Sequence, residues 1–106
     1  GLSAALLGMA AEVWDGMAAR LVEENRAVRR LLARGGEVGL DLAALAAGSD
    51  EDLRISVLKA ANDALRAGLI DLHAAAEAKG AAELEAAIWA ELRASTERRK
   101  LAASPV

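Results

Sequence analysis

Apolar residues at Leu7, Ala10, Trp14, Met17, Leu21, Val28 and Leu31 step along the chain by the threes and fours of one helix face. Glu24, with Asn25 beside it, breaks that series. Ser3 suits an N-cap, and Arg34 before Gly35 and Gly36 suits a stop, so the pattern predicts a first helix over about 3–34. Gly8 and Gly16 lie inside it, each costing roughly 1 kcal/mol relative to Ala. Gly35, Gly36 and Gly39 predict a loop. Asp41 is placed to cap a short helical piece over about 41–47, with Leu42 and Leu45 on one side and Gly48 at its end.

The clearest stripe follows. Ile55, Leu58, Asn62, Leu65, Leu69, Leu72 and Ala76 alternate by three and four, and Ser49 with three acidic residues after it predicts a start near 50. A second long helix over about 50–79 is expected. Lys79-Gly80 reads either as a left-handed C-cap or as a glycine inside one long continuous helix. Leu84, Ile88 and Leu92 form a last stripe, out of phase with the previous one and fading at Ser95. It predicts a helix over about 81–101 with a tail at 102–106.

Written as heptads from Ile55, the stripe has Leu58, Leu65 and Leu72 at d and Asn62 at an a position, a pattern that resembles a leucine zipper. The flanks exclude that family. The e positions are Lys59, Arg66 and His73 and the g positions are Ala61, Gly68 and Ala75, so no acidic g partner exists. Asp50, Glu51 and Asp52 stand where a basic DNA-reading arm would lie. Small residues at every g instead suit a bundle helix that turns a, d and g inward.

Composition narrows the class. The chain has 28 alanines and 17 leucines in 106 residues, but no Phe and no Tyr. Ala, Glu, Lys, Leu and Arg together exceed the roughly 50% level that marks long helices. A sheet is therefore excluded, and one all-α domain spanning 1–106 is expected: an antiparallel bundle of two long helices with a shorter third, completed by dimerisation because alanine rods bury little apolar area. The absence of Cys excludes disulfides and thiolate chemistry. A net charge of −3 argues against nucleic acid as a partner. The longest uncharged run, Gly1 to Ala11, is too short to span a membrane, and no basic residue precedes it as in a signal peptide. Gly1 in place of Met suggests a trimmed or tag-derived terminus, and the cytoplasm is the default location.

Candidate chemistry is sparse. His73 pairs with Glu77 one turn on, either as an acid–base couple or, more simply, as a solvated flank contact. A di-metal bundle needs Glu-x-x-His, and Ile70 stands three before His73. Neither a catalytic set, nor a cofactor motif, nor a metal site is expected. Arg26, Arg29, Arg30 and Arg34, like Arg98, Arg99 and Lys100, sit where positive charge complements a helix C-terminus; an anionic-ligand role is the alternative. Trp14 reads as core, and Trp89 as either a half-buried rim residue or an interface anchor. Asn62 is expected to bond Glu24, Asn25 or a symmetry mate's Asn62, fixing register as a polar a residue does.

The pattern thus points to a non-enzymatic interaction, scaffolding or accessory module that forms a homodimer or binds a protein partner. The alternative is a small-molecule or acyl-chain binder with Met9, Trp14 and Met17 lining a gap. Leu65 is the central d residue, and Leu65→Ala should lower unfolding stability by about 2–5 kcal/mol in a denaturant titration. An unchanged midpoint would put the stripe on the surface.

Overall fold

The computed structural model describes the backbone of residues 2–103 and the side chains of residues 16–101. The protein is all-α, with no strand among the described residues. Among the described residues four helices form: α1 (Leu2–Leu32), α2 (Ala43–Ala46), α3 (Ile55–Lys79) and α4 (Ala82–Ala103), with a 3-10 turn at Gly35–Val38 between the first two.

The stripes face inward as their spacing predicts. Leu21, Val28 and Leu31 of α1 are buried, as are Leu58, Leu65, Leu69, Leu72 and Ala76 of α3 and Leu84 and Ile88 of α4. Leu42 and Leu45 lie partly buried against the same core. At Gly68 a Cβ would sit 3.1 Å from Leu45 Cδ1 and 3.2 Å from Leu32 Cδ1. The small g residue thus lets the α1 and α2 side chains close onto α3.

Gly80 ends α3. Its φ is 66°, its N–H donates to the Glu77 carbonyl at 3.1 Å, and the Ala81 N–H donates to the Ala76 carbonyl at 2.9 Å. That pair of bonds is a Schellman cap, and it turns α4 back against α3.

The start of α3 corrects the expectation of a helix from residue 50. Asp50 is drawn away to α1, where it accepts hydrogen bonds from Arg29 and Asn25. Asp52 accepts the Arg54 backbone N–H at 3.0 Å and also pairs with the Arg54 guanidinium. Arg54 is extended at ψ 136°, so the helix begins only at Ile55. α2 is likewise shorter than the expected 41–47: Leu42 is its N-cap, and Asp41 instead accepts the Ala43 N–H at 3.2 Å in a turn just before it.

Helix direction holds the larger correction. α4 is antiparallel to its neighbours: Glu23 and Glu24 meet Arg98 and Arg99, whereas Val28 and Leu31 share the core with Leu84 and Ile88. The two long helices α1 and α3, expected antiparallel, run in the same direction. Asn25 meets the Leu58 carbonyl and Asn62, and seven residues later Leu32 meets Gly68, so both numbers rise together. The cause is the connection. Residues 33–54 are long enough to fold back along α1, putting Asp50 beside Arg29 and Leu53 on a groove with Ala18 and Val22.

The ion pair of Arg29 with Asp50 holds that return path, both side chains being almost wholly buried, with two N–O distances of 3.0 Å. Asp50→Ala would leave the guanidinium without its counter-charge. We expect a loss of about 3–5 kcal/mol, as when one partner of a buried pair is removed. Amide exchange should speed up first in residues 35–54; uniform acceleration would show that the pair does not hold the crossover.

Candidate functional site

The break in the first stripe marks the most organised group of side chains among those described. Glu24 and Asn25 stay on the inward face of α1 and are fully buried, as are Asn62 on α3 and Ser95 on α4 at about 5% exposure or less. Asn62 Nδ2 donates to Glu24 Oε2 at 2.5 Å and to Asn25 Oδ1 at 3.0 Å. These are two of the three partners that the sequence suggested, reached with the helices parallel rather than antiparallel. Ser95 Oγ donates to Glu24 Oε1. Asn25 Nδ2 passes the chain on to the Leu58 carbonyl and to Asp50, each at 3.3 Å.

Two guanidiniums close the layer from outside. Arg99 lies 3.3 Å and Arg66 3.5 Å from Glu24 Oε2. Burial alone would raise the Glu24 pKa, but the hydrogen bonds from Ser95 and Asn62 and the charges of Arg99 and Arg66 outweigh it. The net effect holds the carboxyl below the ordinary value of 4.5. Glu24 is therefore an anion at neutral pH with donors on both oxygens. Such a carboxylate is suited to holding helices together rather than to moving protons.

The sequence pattern marks Ser95 as the residue at which the α4 stripe fades. Ser95 is buried and continues that stripe. The signal was there in outline, because polar residues interrupt all three stripes at one level. Four of the arginines assigned to the helix dipole, Arg29, Arg34, Arg98 and Arg99, pair with carboxylates. Arg98 binds Glu91 through two bonds, at 2.6 and 3.0 Å, and lies 3.4 Å from Glu23. The hydrogen bonds that Arg98 donates to Glu91 raise its pKa. Arg34 pairs with Glu37 at 2.7 Å.

Leu58, Leu65 and Leu72 lie in the core. Trp89 is 51% exposed, with its ring edge-on to His73 at a centroid distance of 5.0 Å. His73 thus packs on Trp89 rather than forming the expected flank contact with Glu77. Trp14 and Met9 lie outside the residues whose side chains are described. Met17 lines a cleft at the open end of the bundle with Ile55 and Arg20. Among the described residues no group of three or more His, Cys, Asp or Glu could hold a metal, and no helix is long and apolar enough to cross a membrane.

Glu24→Gln removes the charge while keeping the shape, and places an amide donor against the donors around it. We expect it to cost about 2–3 kcal/mol at neutral pH. Because the folded carboxyl titrates below the unfolded one, its contribution is complete above about pH 4.5 and is lost as pH falls through the lowered folded value. Urea titrations should show wild type and Glu24→Gln converging in acid; a pH-independent gap would refute the assignment.

Compared with protein-family models, curated proteins and solved structures, the chain matches none.

Proposed function

We propose that this chain is a non-enzymatic helical interaction module that pairs with a second copy through the amino-terminal half of α1. The observation that carries the reading is a mismatch of length. Ile55, the first residue of α3, lines one cleft with Met17 and Leu21, and Arg99 near the end of α4 reaches Glu24. Residues 2–16 of α1 therefore lie amino-terminal to the level at which its two helical neighbours end. At about 1.5 Å per residue that is roughly 22 Å of helix.

The sequence stripe continues through this stretch as Leu7, Ala10 and Trp14, and among the described residues α3 and α4 end short of that level. Helices in proteins draw most of their stability from packing an amphipathic face, so an apolar stripe there calls for a partner. A two-fold pairing of the same stripe is the simplest closed solution. The polar layer supports the non-enzymatic part, since its carboxylate is committed to serine, amide and guanidinium donors.

Sedimentation of the full chain at micromolar concentration should give twice the 10.9 kDa chain mass. Leu7→Glu with Trp14→Glu should yield a monomer that keeps the cooperative melt of the bundle. A monomeric wild type, or a dimer unaffected by the two substitutions, would overturn the proposal.

A further inference from the structure

The arginine cluster of α1 is only half accounted for by internal pairs. Arg29 and Arg34 have carboxylate partners, but Arg26 and Arg30, both exposed, have no ion pair among the described residues. They stand one turn apart, where like charges repel. Together with Arg29, Gly48, Ser49 and Asp50 they line an open pocket of about 400 Å³ between α1 and the returning segment.

Donors exceed acceptors in this pocket. The Asp50 carboxylate is already taken by both terminal nitrogens of Arg29 and by Asn25. Arg29 Nε is buried with no hydrogen-bond partner. A Cβ on Gly48 would lie 3.5 Å from that nitrogen, so the missing side chain keeps the wall open beside the guanidinium. Ser49 brings a hydroxyl. Two unpaired guanidiniums match the charge of about −1.5 to −2 on a phosphate monoester, whose several acceptor oxygens suit bidentate arginines.

The pocket also opens onto a partly apolar groove, with Glu23, 3.4 Å from Arg98, on its wall. Arg26, Arg30 and Asp50 are shared with this groove, which runs toward Ala18, Val22 and Leu53, the last of these 60% exposed. We infer that this site binds a small phosphate monoester with a short apolar tail, the phosphate between Arg26 and Arg30 and the tail along Val22 and Leu53. Every residue involved belongs to one chain, so the site is independent of the pairing proposed above.

The test uses the full chain and hexyl phosphate, with inorganic phosphate and hexanoate as comparison probes, followed by calorimetry and by amide chemical shifts. Hexyl phosphate should bind with Kd below about 1 mM, and each of Arg26→Gln and Arg30→Gln should weaken it by about tenfold or more. Both residues are exposed, and the melt of each variant confirms its fold. Inorganic phosphate should bind more weakly while shifting the Ser49 and Asp50 amides, and hexyl phosphate should add shifts at Val22 and Leu53. Absence of saturable binding, equal binding by the variants, or hexanoate matching hexyl phosphate would overturn the assignment.

Discussion

A buried carboxylate is the constraint on which the rest of this bundle depends. Glu24 lies where Asn62 from α3 and Ser95 from α4 reach it directly, with Arg66 and Arg99 close outside. Apolar stripes tolerate sliding, since one leucine replaces another at small cost, whereas a shift of one helical turn here would strand an ionised group away from its donors. The polar layer therefore sets the relative heights of three helices at once. Through Asn25 and Asp50 it also reaches the crossover, so register and chain path are fixed by one connected set of bonds.

That coupling explains how two parallel helices persist in so small a protein. A parallel pair needs a connection as long as the helices themselves, and ordering such a segment carries an entropic cost. Residues 33–54 offset it in two ways. Leu42 and Leu45 pack on the core, and Asp50 pairs with Arg29 where neither is screened by much water. The glycine at position 68 belongs to the same solution, because a larger residue there would meet Leu45 and Leu32 as α2 docks.

Much of this was legible in the sequence, and what was not has a physical cause. Helix existence, inward faces and the Gly80 stop follow from periodicity and cap chemistry, because each is settled within a few turns of chain. Direction is not. An apolar stripe looks alike to a neighbour running either way, and Asn25 and Asn62 fall near one level in both arrangements. The contact expected from an antiparallel pair thus occurs in a parallel one. The start of α3 at Ile55 rather than near 50 has a related cause: Ser49 and Asp50 read as cap residues only while Asp50 lacks a distant partner, and Arg29 supplies one. Glu24 was legible as an interruption, but its partners Ser95, Arg66 and Arg99 are far away in sequence, and nothing local announces them.

The polar layer also divides the molecule along its long axis. On the hairpin side lies the hydrophobic core, where Leu32, Leu72, Leu84 and Ile88 meet. On the other side α3 and α4 end while α1 continues, and its sequence becomes apolar again through Met17, Trp14, Ala10 and Leu7. A single continuous core would let those two apolar stretches compete for the same neighbours and blur the register. A charged layer between them prevents this, since no apolar residue can occupy the place of Glu24 without orphaning its donors. α3 and α4 continue about two turns past that layer before they end, and under the proposed pairing the stripe of α1 beyond them is what a second copy would cover.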